Sequence, residues 1–236
     1  MQHAAGASIL THLAGVEAER AARAADPDFA ARVNAIKAYQ QRRFAHAYAD
    51  LLAHPRYAGA ARFFLDELYG PADFTQRDAQ FARIVPALVR LFPAEVIDSV
   101  LTLAQLHALS EGLDSAMARA LAAPRVDAPA YVLAWQRCGQ PAQRETQIAL
   151  ILRVGADLDR LTHNRVLRHS LRLMRAPARA AGLAALQSFL ESGFDTFRAM
   201  GGADEFLRDI GRRERALAAA LFAIDARDAA RLGQLP

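Results

Sequence analysis

The chain reads as all-α, a single multi-helix domain of about eight helices, and two observations predict this. Apolar residues recur at intervals of three and four almost from end to end, the period of a helix with one buried face. No run of alternating β-branched residues marks a strand. Proline and glycine fall between the periodic stretches, where helices start and stop. Globin-like packing is among the arrangements such a set of helices allows.

Residues 1–25 read as an N-terminal helix or flexible arm, alanine-rich from Ser8 to Ala25, ahead of an all-helical domain at 26–236. Asp26-Pro27 supplies a cap and then a proline in the first turn, opening a long helix that reaches about Ala53. Pro55 opens the next, which ends at Tyr69. Gly70 can take the left-handed conformation that closes a helix, and Pro71 forbids continuation. Thr75 and Asp78 have the spacing of a capping box. The helix they begin carries Phe81, Ile84, Val85, Leu88 and Phe92 on one face, with a kink expected at Pro86.

Pro93 starts another helix, with a stripe of Val96, Val100, Leu103, Leu106, Leu113 and Met117. Pro124, Pro129 and Pro141 punctuate a looser middle that holds a short helix around 131–137 and the lone Trp135. Helices at about 142–154, 158–175 and 178–191 follow. Gly201-Gly202 precedes a last helix at about 203–224.

Apolar residues make up 53% of the 236 positions, yet arginine, aspartate or glutamine interrupts every long run. No segment offers the roughly 18–20 apolar residues of a membrane span. The N-terminus lacks the basic start and apolar stretch of a secretion signal, and Cys138 alone cannot close a disulfide within the chain. A cytoplasmic protein is the expectation. Lys37 is the only lysine among 29 basic residues, and with so much alanine this reads as the codon bias of a GC-rich bacterial genome. The net charge of +4 is modest, so composition gives little support to nucleic-acid binding.

Aromatic residues concentrate at Tyr39, Phe44, Tyr48, Tyr57, Phe63, Phe64, Tyr69, Phe74, Phe81 and Phe92, and none falls between Pro93 and Ala130. Since rings bury the largest areas, the core is expected to centre on residues 39–121, with an aromatic-lined pocket as the functional alternative. The block Phe63-Phe64, Leu68-Tyr69-Gly70, Asp73-Phe74 and Arg77-Asp78 resembles a pattern of uncharacterised bacterial all-helical proteins. Leu186-Gln187-Ser188-Phe189-Leu190-Glu191-Ser192-Gly193-Phe194 resembles a second block of the same family. The resemblance covers the chain from about Ile36 onward, implies one shared helical architecture, and brings no activity with it.

Three constellations could carry chemistry. His46, Asp50 and His54, spaced at four, share a face of the expected 27–53 helix. An adjacent pair could grip a divalent metal if other helices completed the shell. The whole set spans about 12 Å, too far for one ion. His107 lies beside the Val100–Leu103 stripe and is the first candidate for a pocket-wall ligand to haem or a related planar cofactor. Arg165, Arg168, Arg172 and Arg175 follow 3-4-3 spacing within an acid-free segment from Arg160 to Leu190, and could pair with phosphates or carboxylates. No aromatic residue interleaves them, as single-strand binders require.

Phosphate loops, dinucleotide fingerprints, nucleophile elbows and the Glu-x-x-His pairs of di-iron bundles are missing. The expectation therefore leans away from an enzyme, with no cofactor specified. It favours a helical protein acting by protein–protein contact or self-association. A pocket for haem or an acyl chain is the alternative, and an anion or nucleic-acid site on the arginine face the further one.

Overall fold

The Asp26 carboxylate accepts a hydrogen bond from the Phe29 amide at 3.0 Å, with Pro27 in the first turn, and so satisfies one of the free amides of a helix start. A computed structural model describes residues 2–68 and 74–236, with the backbone alone at Leu68, and no strand occurs among them. The helices are α1 (Gln2–Ala25), α2 (Pro27–Ala47), α3 (Ala49–Ala53), α4 (Ala58–Phe63), α5 (Thr75–Leu91), α6 (Ala94–Ala120), α7 (Ala128–Cys138), α8 (Pro141–Thr162), α9 (Arg165–Leu173), α10 (Arg175–Ala180), α11 (Ala184–Met200) and α12 (Asp204–Ala223). A π-helical turn at Phe64–Leu68 extends α4, and a 3-10 turn at Ala226–Arg231 follows α12. Among the described residues no helix is long and apolar enough to cross a membrane.

The segmentation exceeds eight helices. The helix expected over 27–53 divides at Tyr48, where φ is −118° and ψ 25°; its hydroxyl donates to Glu214 at 2.7 Å, an anchor 166 residues away. The 142–154 helix runs on to Thr162, and the 158–175 helix does not exist as one unit. Asn164 caps a new start by accepting from the Val166 and Leu167 amides, and α9 ends before Arg175 opens α10. The helix placed at 178–191 is shifted to α11. Pro86 and Gly112 both sit inside continuous helices. The Thr75–Asp78 capping box does not form: Phe74 holds the cap position without a side-chain bond, and Asp78 is buried instead. The Gly70–Pro71 stop lies outside the described residues.

α6 is the spine, packed against α1, α2, α7 and α8. Ile9 and Leu13 of α1 enter a cluster with Val85, Val89 and Ile97, so the N-terminal segment is a docked helix. A second cluster joins Phe44, Tyr48, Phe63 and Phe64 to Phe197 and Phe206. A third joins Tyr39, Met117, Tyr131 and Trp135 to Leu217 and Leu221. The core therefore extends well beyond 39–121, because α11 and α12 fold back over the N-terminal rings.

Where α8 crosses α12, each helix receives a leucine of the other at a glycine. A Cβ on Gly155 would lie 2.5 Å from Leu207 Cδ2, and one on Gly211 would lie 2.8 Å from Leu152 Cδ1. This close crossing closes one side of the interior.

Candidate functional site

On α6, His107, Ser110, Glu111 and Asp114 stand at i, i+3, i+4 and i+7 and so share one face. All four line a cavity of about 470 Å³, and each meets a partner from another helix. His107 Nε2 lies 2.7 Å from Asp78 Oδ2 of α5. Ser110 Oγ accepts from Gln147 Nε2 of α8 at 2.9 Å. Glu111 accepts from Arg23 of α1 and, at 2.5 Å, from Lys37 of α2. Asp114 accepts from Gln40 of α2 at 3.0 Å.

The rest of the wall is largely apolar, with Phe81, Leu88, Leu103, Leu158, Leu186 and Leu190 from α5, α6, α8 and α11. α9 contributes Leu167 and Leu171, and Met174 follows. The result is an oily chamber whose polar wall runs along α6 and is joined by Lys37 and Gln40 of α2, Arg77 and Asp78 of α5, and Gln147 and Asp157 of α8, the usual composition of a small-molecule site.

Asp78 sits at the junction of that polar side. It also takes Arg20 at 2.5 Å and Arg77 at 3.5 Å. Burial would raise its carboxyl, but the His107 hydrogen bond and the charges of His107, Arg20 and Arg77 prevail and bring it down to about 2. An ionised Asp78 accepts, so the proton of the shared bond belongs to His107 Nε2, leaving Nδ1 as the nitrogen free to meet a guest. Burial likewise opposes the Glu111 charge, and Lys37 and Arg23 overcome it, so that carboxyl is also lowered. Asp114 behaves oppositely. Burial, joined by the charge of Glu111, raises it against the pull of Lys37 and Gln40.

Arg77 ties this corner together. Its guanidinium lies 4.0 Å from the Phe74 ring centre and 4.6 Å from that of Phe189, and Nη1 donates to the Glu67 carbonyl at 3.0 Å. Phe189 in turn stacks on Phe63 at 5.5 Å, and the Leu186 amide donates to Gln80 Oε1 at 3.0 Å. The described parts of the two sequence blocks that resemble one family thus meet at Phe63, Arg77 and Phe189, which line the cavity.

The other singled-out residues lie elsewhere. His46 Nε2 is 3.1 Å from the Gly233 carbonyl. Asp50 accepts from Arg213 at 2.6 and 2.9 Å. His54 Nδ1 accepts from the Arg56 amide at 3.1 Å. They do not converge, and among the described residues no three His, Cys, Asp or Glu side chains group at metal-holding distance. The arginine face is divided too: Arg175 begins α10 and pairs with Glu191 at 2.9 Å, while Arg168 lies 3.7 Å from Asp195. Arg165 and Arg172 are exposed. Of the residues singled out for chemistry, His107 is the one at the cavity. Lys37, Asp78, Ser110, Glu111 and Asp114 were missed as site residues, although the 107-110-111-114 spacing was visible.

Residues 19–228 match the family model described as Domain of unknown function (DUF8198). No curated protein and no solved structure matches the chain.

Proposed function

The chain belongs to that family, and within it we propose that this protein binds one apolar small molecule, an acyl-type chain with a polar head, inside the helical cavity. The observation carrying this reading is the 470 Å³ space, whose polar groups include the α6 stripe and Lys37, which meets that stripe at Glu111. Such a volume falls within the roughly 300–1,000 Å³ of small-molecule pockets. The chain would lie against Phe81, Leu103, Leu158 and Leu190. A carboxylate head would accept from the Lys37 ammonium, which has donors to spare beyond Glu111, whereas a hydroxyl head could also donate to His107 Nδ1. A haem-type ligand in a globin-like helix arrangement would have to use that same Nδ1, since Asp78 holds Nε2.

The test is extraction of the purified protein into organic solvent with mass spectrometry of the extract, together with titration by a fluorescent polyene fatty acid. A retained chain, or saturable probe binding displaced by unlabelled acid, is the expected result. An empty extract with no saturable probe binding would remove the reading.

A second reading, self-association, is favoured by α9, which buries no residue of its own and leaves Val166 74% and Leu173 65% exposed. Exposed large apolar side chains on one short helix suit contact with another protein surface. Light scattering of the wild type and of a Val166→Ser, Leu173→Ser variant separates the two readings. A monomer in both, at all concentrations, eliminates this one.

A further inference from the structure

Beside the large cavity lies a small chamber of about 40 Å³ whose wall includes Tyr131, Trp135, Arg144, Gln147 and Glu214. Arg144 is only 3% exposed. Among the described residues its one hydrogen bond is from Nη1 to Gln147 Oε1 at 3.1 Å, and its guanidinium lies 4.0 Å from the Trp135 ring centre. Nε and Nη2 have no acceptor among the described residues, and neither does Trp135 Nε1. The one carboxylate in the wall, Glu214, is already engaged with Arg43 at 2.8 Å and with the Tyr48 hydroxyl at 2.7 Å. Glu214 therefore balances Arg43, and among the described residues no carboxylate stands at ion-pair distance from Arg144; the buried Asp114 feels the Arg144 charge only from farther off.

A buried cation without a partner is costly, and buried polar groups are normally satisfied. The three unmet groups on Arg144 and Trp135 are all N–H donors, whereas a water molecule offers only two acceptor lone pairs along with two hydrogens that need acceptors. A guest that only accepts suits this wall better. The space admits about one or two water-sized guests.

We infer that this chamber is a binding site for a small monovalent anion, of halide or formate size, with Arg144 as the anchoring cation and Trp135 Nε1 as a second donor. The site is independent of the proposed chain-binding cavity, although Gln40, Gln147 and Ile151 line both spaces.

Trp135 is the only tryptophan in the chain, so the indole emission comes from this one ring on the chamber wall. Titration with chloride or formate against gluconate at matched ionic strength should give a saturable emission change and a higher melting temperature for the small anions only. Arg144→Met should lose the saturable component, and Arg144→Lys should retain part of it. Should Arg144→Met fail to fold, crystals of the wild type grown in bromide decide the matter. An anomalous peak within hydrogen-bonding distance of Arg144 supports the site. Equal response to chloride and gluconate, or water alone at that position in bromide crystals, overturns it.

Discussion

His107 and Asp78 belong to different helices, yet Nε2 of the one lies 2.7 Å from Oδ2 of the other, and two arginines hold the same carboxylate. With the Asp78 carboxyl lowered to about 2 against about 3.9 in an unfolded chain, the ionised form favours the fold by about 2–3 kcal/mol. The folded value lies below the unfolded one, so this contribution is present above about pH 4 and is lost as pH falls toward 2. Urea midpoints followed from pH 6 to pH 2 should fall steeply in that window. Asp78→Asn should flatten the fall while costing roughly 3 kcal/mol at neutral pH, because Arg20 and Arg77 then lose their buried counter-charge. An unchanged acid limb in the variant would assign the acid sensitivity to other carboxylates.

Asp114 should act with the opposite sign. Burial raises its carboxyl, so the folded state holds the proton more tightly than the unfolded one, and stability contributed by the protonated form is lost as pH rises above the unfolded value of about 3.9. Asp114→Asn keeps a hydrogen-bonding group for Gln40 and carries no charge to bury. The variant should be more stable than the wild type at pH 7, with the difference shrinking toward pH 4. A variant less stable at pH 7 would mean that the ionised carboxylate is needed by Lys37 or Gln40.

What could be read from the sequence was what depends on near neighbours. Asp26-Pro27 begins a helix because a short side chain caps the amide three residues on, and the apolar stripe on α6 needed only the helical period. The break at Tyr48 could not be read, since it accompanies a hydroxyl bond to a residue on α12. Thr75 and Asp78 had a local spacing that implied a cap, but the long-range attraction of Arg20 and His107 draws Asp78 inward. The site was half visible. His107 stood out as a lone histidine beside an apolar stripe, while nothing marked Ser110, Glu111 and Asp114 until α1, α2 and α8 supplied their partners.

The α8–α12 crossing makes a packing prediction. A Cβ at Gly155 would stand 2.5 Å from Leu207 Cδ2, and Leu207 is itself buried, so it has little room to swing aside. Gly155→Ala should cost about 1–3 kcal/mol, the range for overfilling a packed contact. Gly155→Ala with Leu207→Ala should recover part of the loss relative to the sum of the single changes, because the two atoms compete for one space. Strict additivity in chemical denaturation would show that the helices separate freely here.

Filling the cavity distinguishes a binding chamber from an incidental void. Leu103 lines the space and is only half-buried, so a larger ring can grow into the opening without displacing a packed neighbour. Leu103→Trp brings several more carbons out of water at about 0.8 kcal/mol for each methylene-sized group, and part of this gain is lost to side-chain ordering. The ligand-free protein should therefore gain about 1–2 kcal/mol in denaturant unfolding. The same ring occupies the room a chain would need, so probe affinity should fall at least tenfold. Increased stability with unchanged probe affinity would place the probe elsewhere on the surface. Decreased stability would mean that Leu103 is held more tightly than its exposure implies.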